Sequence, residues 1–384
     1  MRINEGLERL REVVYGPCDG GSWAALLTTL EGLQGEPLEV ALDYVTPTVL
    51  SWPATWRTHR SRDVERWALK PPPWWSLVGD LNLGGLRMGE QGMVALAGAQ
   101  ALAPVRRLRL GKNRLDDACV GLLLGSAHLE ALQWLELSNN HVGPAGALRL
   151  SRAAVLEGLE GLVLRGNKLD NAGAEALARS PFLKRLQVLD LADNTLGAEA
   201  AQALGQARQL VDSLHTLDLR RNHLGAQGVE ALVSSPHLGA LRVLHLGSNA
   251  VGDAGAQALA GAAMSGQLAE LYLWNNRIGD VGVKALVQSP HLAGLTHLDL
   301  SFNRMGDEGV EALASSPHMA GLTHLTLDWN DIHDRGARAL AQSPVLGNVV
   351  RLSLRNSRIS QSGARILRNS GFLSSLSEFH FSKR

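Results

Sequence analysis

Cysteine is almost missing: only Cys18 and Cys119 occur in 384 residues. Two distant thiols give neither a disulfide framework nor a metal-ligand spacing, so no metal or redox site is expected from them. Excess charge is missing as well, with Lys plus Arg equal to Asp plus Glu at 37 each. That removes the basic surplus expected of a nucleic-acid binder. Long apolar runs are missing, and with them any expected membrane span. The opening MRINEGLERLREVVYG is amphipathic and carries no apolar signal region, so a cytoplasmic setting is the expectation. The phosphate-loop, zinc-protease and serine-hydrolase signatures are all missing. No catalytic residue and no cofactor are expected, and the function class that remains is a non-enzymatic binder.

What the chain has is period. The stretch LTHLDLSFNRMGDEGVEALASSPHMAGL from Leu295 recurs as LTHLTLDWNDI from Leu322 and as LAELYLWNNRI from Leu268. The frame is L-x-x-L-x-L-x-x-N-x-L. Its asparagine slot is filled at Asn113, Asn140, Asn167, Asn194, Asn222, Asn249, Asn276, Asn303 and Asn330. The steps are 27 residues apart from one of 28, between Asn194 and Asn222. At the ends the slot degrades to Leu86 and Ser357, as terminal repeats do when they lack a neighbour on one side.

Each repeat reads as two halves. The x-L-x-L-x half alternates and predicts a short strand. The second half, such as NAGAEALARSPFL from Asn171, has Ala and Leu at helical spacing. It ends near a Ser-Pro, and Pro181, Pro236, Pro290, Pro317 and Pro344 mark the helix exits. His128, His237, His291 and His318 fall in that exit segment and read as structural or loop residues. One strand and one helix per repeat give parallel strands joined by helical crossovers. Strands pair at roughly 4.8 Å and helices pack at roughly 8–10 Å, so such an array bends with its strands inside.

These residues resemble the leucine-rich repeat proteins, in particular the ribonuclease-inhibitor-like class with one helix per repeat. The resemblance implies a curved right-handed βα solenoid, the leucine-rich repeat horseshoe, over 77–384. It also implies a protein partner held on the concave sheet. A regulator of a specific enzyme, GTPase-activating or inhibitor-like, stands as the alternative.

Residues 1–76 do not fit the repeat and read as a mostly helical cap. Ile3, Leu7, Leu10 and Val14 share one helical face, Trp23, Leu26, Leu27, Leu30 and Leu33 another. Further helices are expected over Leu38–Val49 and Ser61–Lys70. Five of the nine Trp fall between Trp52 and Trp75 among Arg57, Arg60, Arg62, Arg66 and Lys70. They are expected to cover the open end of the first repeat. The first strand is expected at Leu81 and Leu83, and the last at Leu376, Phe379 and Phe381, with no helix of its own.

The residues flanking the core leucines face the concavity and are the candidate site. Aromatics are few, yet Tyr272, Trp274, Phe302 and Trp329 fall in three successive strands, with Trp134 in an earlier one. Rings flanked by charge are the composition of an interface hot spot. The alternative is a cross-strand ladder that stiffens the sheet. His297 and His324 fill one column in adjacent strands beside Asp299, and Asp328 adjoins Trp329. The partner-binding set is therefore Trp134, Tyr272, Trp274, His297, Asp299, Phe302, His324, Asp328 and Trp329, with no metal assigned and the oligomeric state left open.

Overall fold

The strands are short because only three residues alternate before the chain turns towards its asparagine. In the computed structural model, which describes residues 9–14, 20–33, 36–51, 57–60, 72–210, 212–263 and 267–383, they fall into two compact units. Met1–Val142 with Arg152–Val163 forms one, and Gly143–Ser151 with Leu164–Arg384 the other.

The first unit holds β1 (Thr58–Arg60), β2 (Asp80–Asn82), β3 (Arg107–Arg109), β4 (Trp134–Glu136) and β5 (Gly161–Val163). They pair in parallel and in sequence order. The sheet therefore starts one strand earlier than Leu81: β1 sets Thr58 against Asp80. A three-residue strand with no leucine frame leaves no trace in the repeat pattern. Residues 9–14, Gly20–Glu31 and Glu36–Ser51 are helical, burying Leu10, Val14, Trp23, Leu26, Leu30, Leu33, Val45 and Val49. The helix expected over Ser61–Lys70, together with Trp52, Trp56 and Trp67, lies outside the described residues. Trp74 and Trp75 are buried, and the Trp75 indole N–H donates to the Ala101 carbonyl at 2.6 Å. The Arg57 guanidinium is buried and donates to the Leu77 carbonyl at 2.7 Å. Burial, with Arg106 adding repulsion, pulls its pKa down.

The second unit holds β6 (Val188–Asp190), β7 (Thr216–Asp218), β8 (Val243–His245), β9 (Glu270–Tyr272), β10 (His297–Asp299), β11 (His324–Thr326), β12 (Arg351–Ser357) and β13 (Glu378–Lys383). These too are parallel and in sequence order. Successive helices, from Pro144–Ser151 to Gln361–Arg368, pack on one another behind the strands. Leu271, Leu273, Leu298, Leu300, Leu325 and Leu327 point between the two layers and are buried. Each such side chain contributes roughly 2 kcal/mol by leaving water. The fold is the expected βα solenoid, and its sheet face opposite the helices is open.

Three ladders link successive repeats of the second unit, the acidic one from Asp253 onward. Asn276 shows the first. Its Nδ2 donates to Leu273 O of its own repeat and to Leu246 O of the preceding one, at 3.0 and 2.8 Å. Its Oδ1 accepts from Asn249 N and Val251 N at 2.8 and 3.3 Å. The amide is fully buried, so it meets backbone groups that have no water to turn to. The 28-residue step does not break this ladder, since Asn222 still donates to Leu191 O at 3.0 Å and to Leu219 O at 2.9 Å.

The second ladder is acidic. Asp253 accepts from Gly279 N and Gly282 N, Asp280 from Gly306 N and Gly309 N, and Asp307 from His333 N and Gly336 N, all at 2.7–3.0 Å. Each carboxylate sits at the N-terminus of the following helix, where exposed N–H groups and the helix dipole favour an anion. Glycine is required opposite it: a Cβ on Gly309 would stand 2.7 Å from Asp280 Oδ1.

The third ladder is serine. Ser180, Ser289, Ser343 and Ser370 donate to carbonyls of the preceding repeat, at Ser151, Ala260, Ala314 and Ala341. The Ser289 and Ser316 hydroxyls also accept from His291 N and His318 N. Those two histidines enter the exit turn through their main chains.

Candidate functional site

On the open face the residues flanking each core leucine form columns, because the register never slips between β6 and β11. A further column follows in the turn, one residue before each asparagine. There the backbone is left-handed in every repeat. φ is +59° at Lys112, +54° at Asn139, +52° at Asp193, +54° at Arg221, +60° at Ser248 and +54° at Asn275. Phe302 and Trp329 occupy that same slot, with φ of +54° and +56°. The sequence pattern puts both rings, and Trp274, on the strands, but β9 ends at Tyr272 and leaves Trp274 just beyond it. The structure moves Phe302 and Trp329 to the turn, where the chain must curl back to bring the asparagine inside.

The four rings of the second unit therefore do not form one surface. Tyr272 stacks on His245 of the preceding strand, centroids 4.2 Å apart and planes 14° apart. Its hydroxyl donates to Glu270 Oε2 at 2.7 Å. Trp274 is half-buried and lies flat over Gly247, where any Cβ would overlap the indole. The Arg221 guanidinium stands 5.5 Å from its centroid. Phe302 and Trp329 stack on each other at 5.3 Å and 14°, and they stay 49% and 40% exposed. Trp134 belongs to the first unit, where it covers Gly161 and carries Arg107 4.1 Å above its ring.

His297 and His324 are register partners, as the column reading requires, with stacked rings 4.1 Å apart. Thr296 and Thr323 hydroxyls lie 2.9 Å from the two Nδ1 atoms. Each hydroxyl also reaches a carbonyl, Ala269 O at 3.1 Å and Thr296 O at 3.0 Å. A hydroxyl has one proton to give, so Nδ1–H donates to each threonine and Nε2 is the free acceptor. Burial, then His297 and Arg351, hold the His324 pKa below its ordinary value. Parallel rings aim their Nε2 lone pairs side by side rather than at one point, which does not suit a shared metal. Among the described residues no three His, Cys, Asp or Glu side chains are placed to hold a metal ion.

The carboxylates of this region are engaged. Asp299 Oδ1 accepts from Ser301 N at 2.9 Å and from its hydroxyl at 2.5 Å, and burial raises its pKa. Asp328 Oδ1 accepts from Ser353 Oγ at 2.6 Å and Arg355 N at 2.7 Å. Towards β6, Asp190 is pushed up to about 6 by burial and by Asp218. Asp218 shifts upward chiefly through burial. His245 is pulled down to about 4 by burial and by Arg220.

Four members of this face lie outside the sequence reading. His245 is the platform under Tyr272, and Gly247 is the seat of Trp274. Arg277 and Arg304 follow the asparagine of their repeats and are exposed. The signal was present for the turn: Gly, Asn, Asp and Ser recur one residue before the asparagine, the composition of a left-handed position.

Seven segments match the family described as Leucine Rich repeat: 159–178, 184–205, 213–233, 241–260, 268–287, 293–314 and 320–341. Together with the parallel sheet and the asparagine ladder, they make the chain a member of the leucine-rich repeat proteins. Among solved structures it is similar to an internalin of Listeria monocytogenes, at 18% identity and TM-score 0.44, covering 75% of this chain and 83% of that one. It is also similar to TLR13 in a complex with single-stranded RNA, at 18% identity and TM-score 0.48, covering 80% of this chain and 40% of that one. A TDR receptor is similar at 19% identity and TM-score 0.41, covering 85% and 49%. No curated protein sequence matches the chain.

Proposed function

We propose that the protein is a non-enzymatic scaffold that binds a protein partner on the open face of its second unit. Leucine-rich repeats support an interaction role in general. The observation that carries the specific reading is the Phe302–Trp329 pair. Neither ring fills a core, and each sits on a backbone conformation that bulky residues avoid at roughly 1–2 kcal/mol. Nothing in folding asks for an aromatic there, whereas Trp and its stacked neighbours are the groups that dominate binding energy at interfaces. Tyr272, Trp274, His297, Asp299, His324 and Asp328 offer further contacts on the same open face, in stacks separate from the pair, and Trp134 offers an aromatic contact in the first unit. A preformed sheet needs little ordering on association, which lowers the entropic cost of binding.

The reading includes a cytoplasmic setting, no nucleic-acid or membrane partner, and residues 1–76 as a cap on 77–384. Among the described residues no helix is long and apolar enough to cross a membrane. The test is affinity purification with the intact protein beside a Tyr272→Ala, Trp274→Ala, Trp329→Ala variant of unchanged circular dichroism. The partner is expected to be captured by the first and lost from the second. Equal capture by both would remove the site.

A further inference from the structure

We infer that the Phe302–Trp329 pair, with Arg277, Arg304 and Arg355 around it, receives an acidic peptide segment whose apolar side chain lies on the rings. This rests on the protein-binding reading and adds the chemistry of the partner.

The charge in these turns is unmatched. Arg277 and Arg304 fill the slot after the asparagine in two successive repeats, and Arg304 N bonds to Ile278 O at 2.8 Å, which sets one beside the other. Phe302 precedes that slot by two residues in the repeat of Arg304. Arg355 lies across from the other ring: its carbonyl accepts from Trp329 N at 2.9 Å. All three arginines are exposed, and among the described residues none has a carboxylate within ion-pair reach.

The acids nearby are in a different state. Asp331 is paired with Arg358 at 2.7 Å. Asp328 accepts from Ser353 and Arg355 N, Asp299 from Ser301, and Glu270 from Tyr272. The local anions already have donors, whereas the three guanidinium groups have no carboxylate to donate to among the described residues. Guanidinium groups are planar forks that match a carboxylate edge to edge. Beside two exposed rings, they define a segment with one large apolar side chain flanked by Asp or Glu.

The test is a random dodecapeptide library displayed on phage and panned against the immobilised full chain. Peptides are counter-selected on a variant with Arg277→Glu, Arg304→Glu and Arg355→Glu. Enriched peptides are expected to carry an aromatic or leucine next to Asp or Glu. Once synthesised, they should bind at least about tenfold more weakly to the charge-reversed protein and to Trp329→Asn. Their affinity should also fall with added salt. Enrichment of basic or uncharged peptides overturns the proposal. So does equal binding to the charge-reversed variant; if those peptides still need Trp274, the open face remains a protein-binding site with a different partner chemistry. No enrichment over the bare surface overturns both readings. Binding of labelled oligouridine that disappears in the same variants replaces the peptide with a nucleic acid.

Discussion

The stretch from Arg165 to Arg221 and the stretch from Tyr272 to Trp329 use one backbone and end in different states. In the first, the open face closes on itself. Arg165 and Arg221 both reach Asp193, at 2.8 and 3.4 Å, and Arg220 reaches Asp218 at 2.8 Å. In the second, Tyr272 stacks on His245 and Phe302 on Trp329, with the latter pair exposed, while Arg277 and Arg304 in the adjoining turns are exposed and, among the described residues, have no carboxylate within ion-pair reach. Asp193 and Arg221 occupy the same left-handed slot as Phe302 and Trp329. The leucines and the asparagine satisfy the fold, so the slot next to the asparagine is free to vary. What fills it reflects the surface rather than the scaffold.

The largest effect is expected from the scaffold that both stretches share. Asn276→Ala removes a fully buried amide that bonds five backbone groups. It should cost about 3 kcal/mol in urea unfolding, because carbonyls and amides are left buried without partners. A loss below about 1 kcal/mol would show that the ladder does not bear the stack.

The next effect is one of pH, and it sets Asp190 of the first stretch against His245, the platform under Tyr272 of the second. Asp190 binds its proton more tightly in the folded chain, near pH 6 against an ordinary 3.8. Its contribution therefore weakens stability as pH rises through 4 to 6. His245 titrates near 4 against an ordinary 6.5, so its contribution is lost as pH falls from 6.5 to 4. The two slopes oppose each other. Asp190→Asn should stabilise the protein by about 1–2 kcal/mol at neutral pH, allowing for solvent screening, and steepen its loss of stability on acidification. A pH profile identical to that of the unmutated protein would mean that Asp190 is not held as described.

The smallest effect on stability belongs to the rings. Phe302→Asn with Trp329→Asn should leave the unfolding free energy unchanged or raise it by up to about 1 kcal/mol, since Asn accepts the left-handed slot. The same variant should lose partner binding by at least about tenfold. A marked drop in stability would mean that the pair stiffens the sheet, as a ladder of rings can.

The repeat frame, the strand and helix order and the asparagine slots are legible because they recur with the period, and recurrence is a property of sequence. The column of His297 and His324 was legible for the same reason. Tyr272 on His245 and Trp274 over Gly247 were not, since a stacking choice depends on what the adjacent strand leaves vacant. The turn position of Phe302 and Trp329 is not legible from leucine alternation, because the strands end after three residues and the left-handed turn follows. The acidic and serine ladders recur every 27 residues at Asp253, Asp280, Asp307 and Asp334, yet their meaning appears only when consecutive repeats lie side by side. β1 carries no repeat frame at all.

The single irregular step between Asn194 and Asn222 has a practical consequence. One surplus residue is absorbed there while Asn222 keeps its bonds to Leu191 and Leu219. The same segment is thus a natural place to graft foreign sequence. An epitope or a fluorescent reporter inserted between Gln206 and Ser213 would report on the protein from the helical side, away from the open face of the sheet.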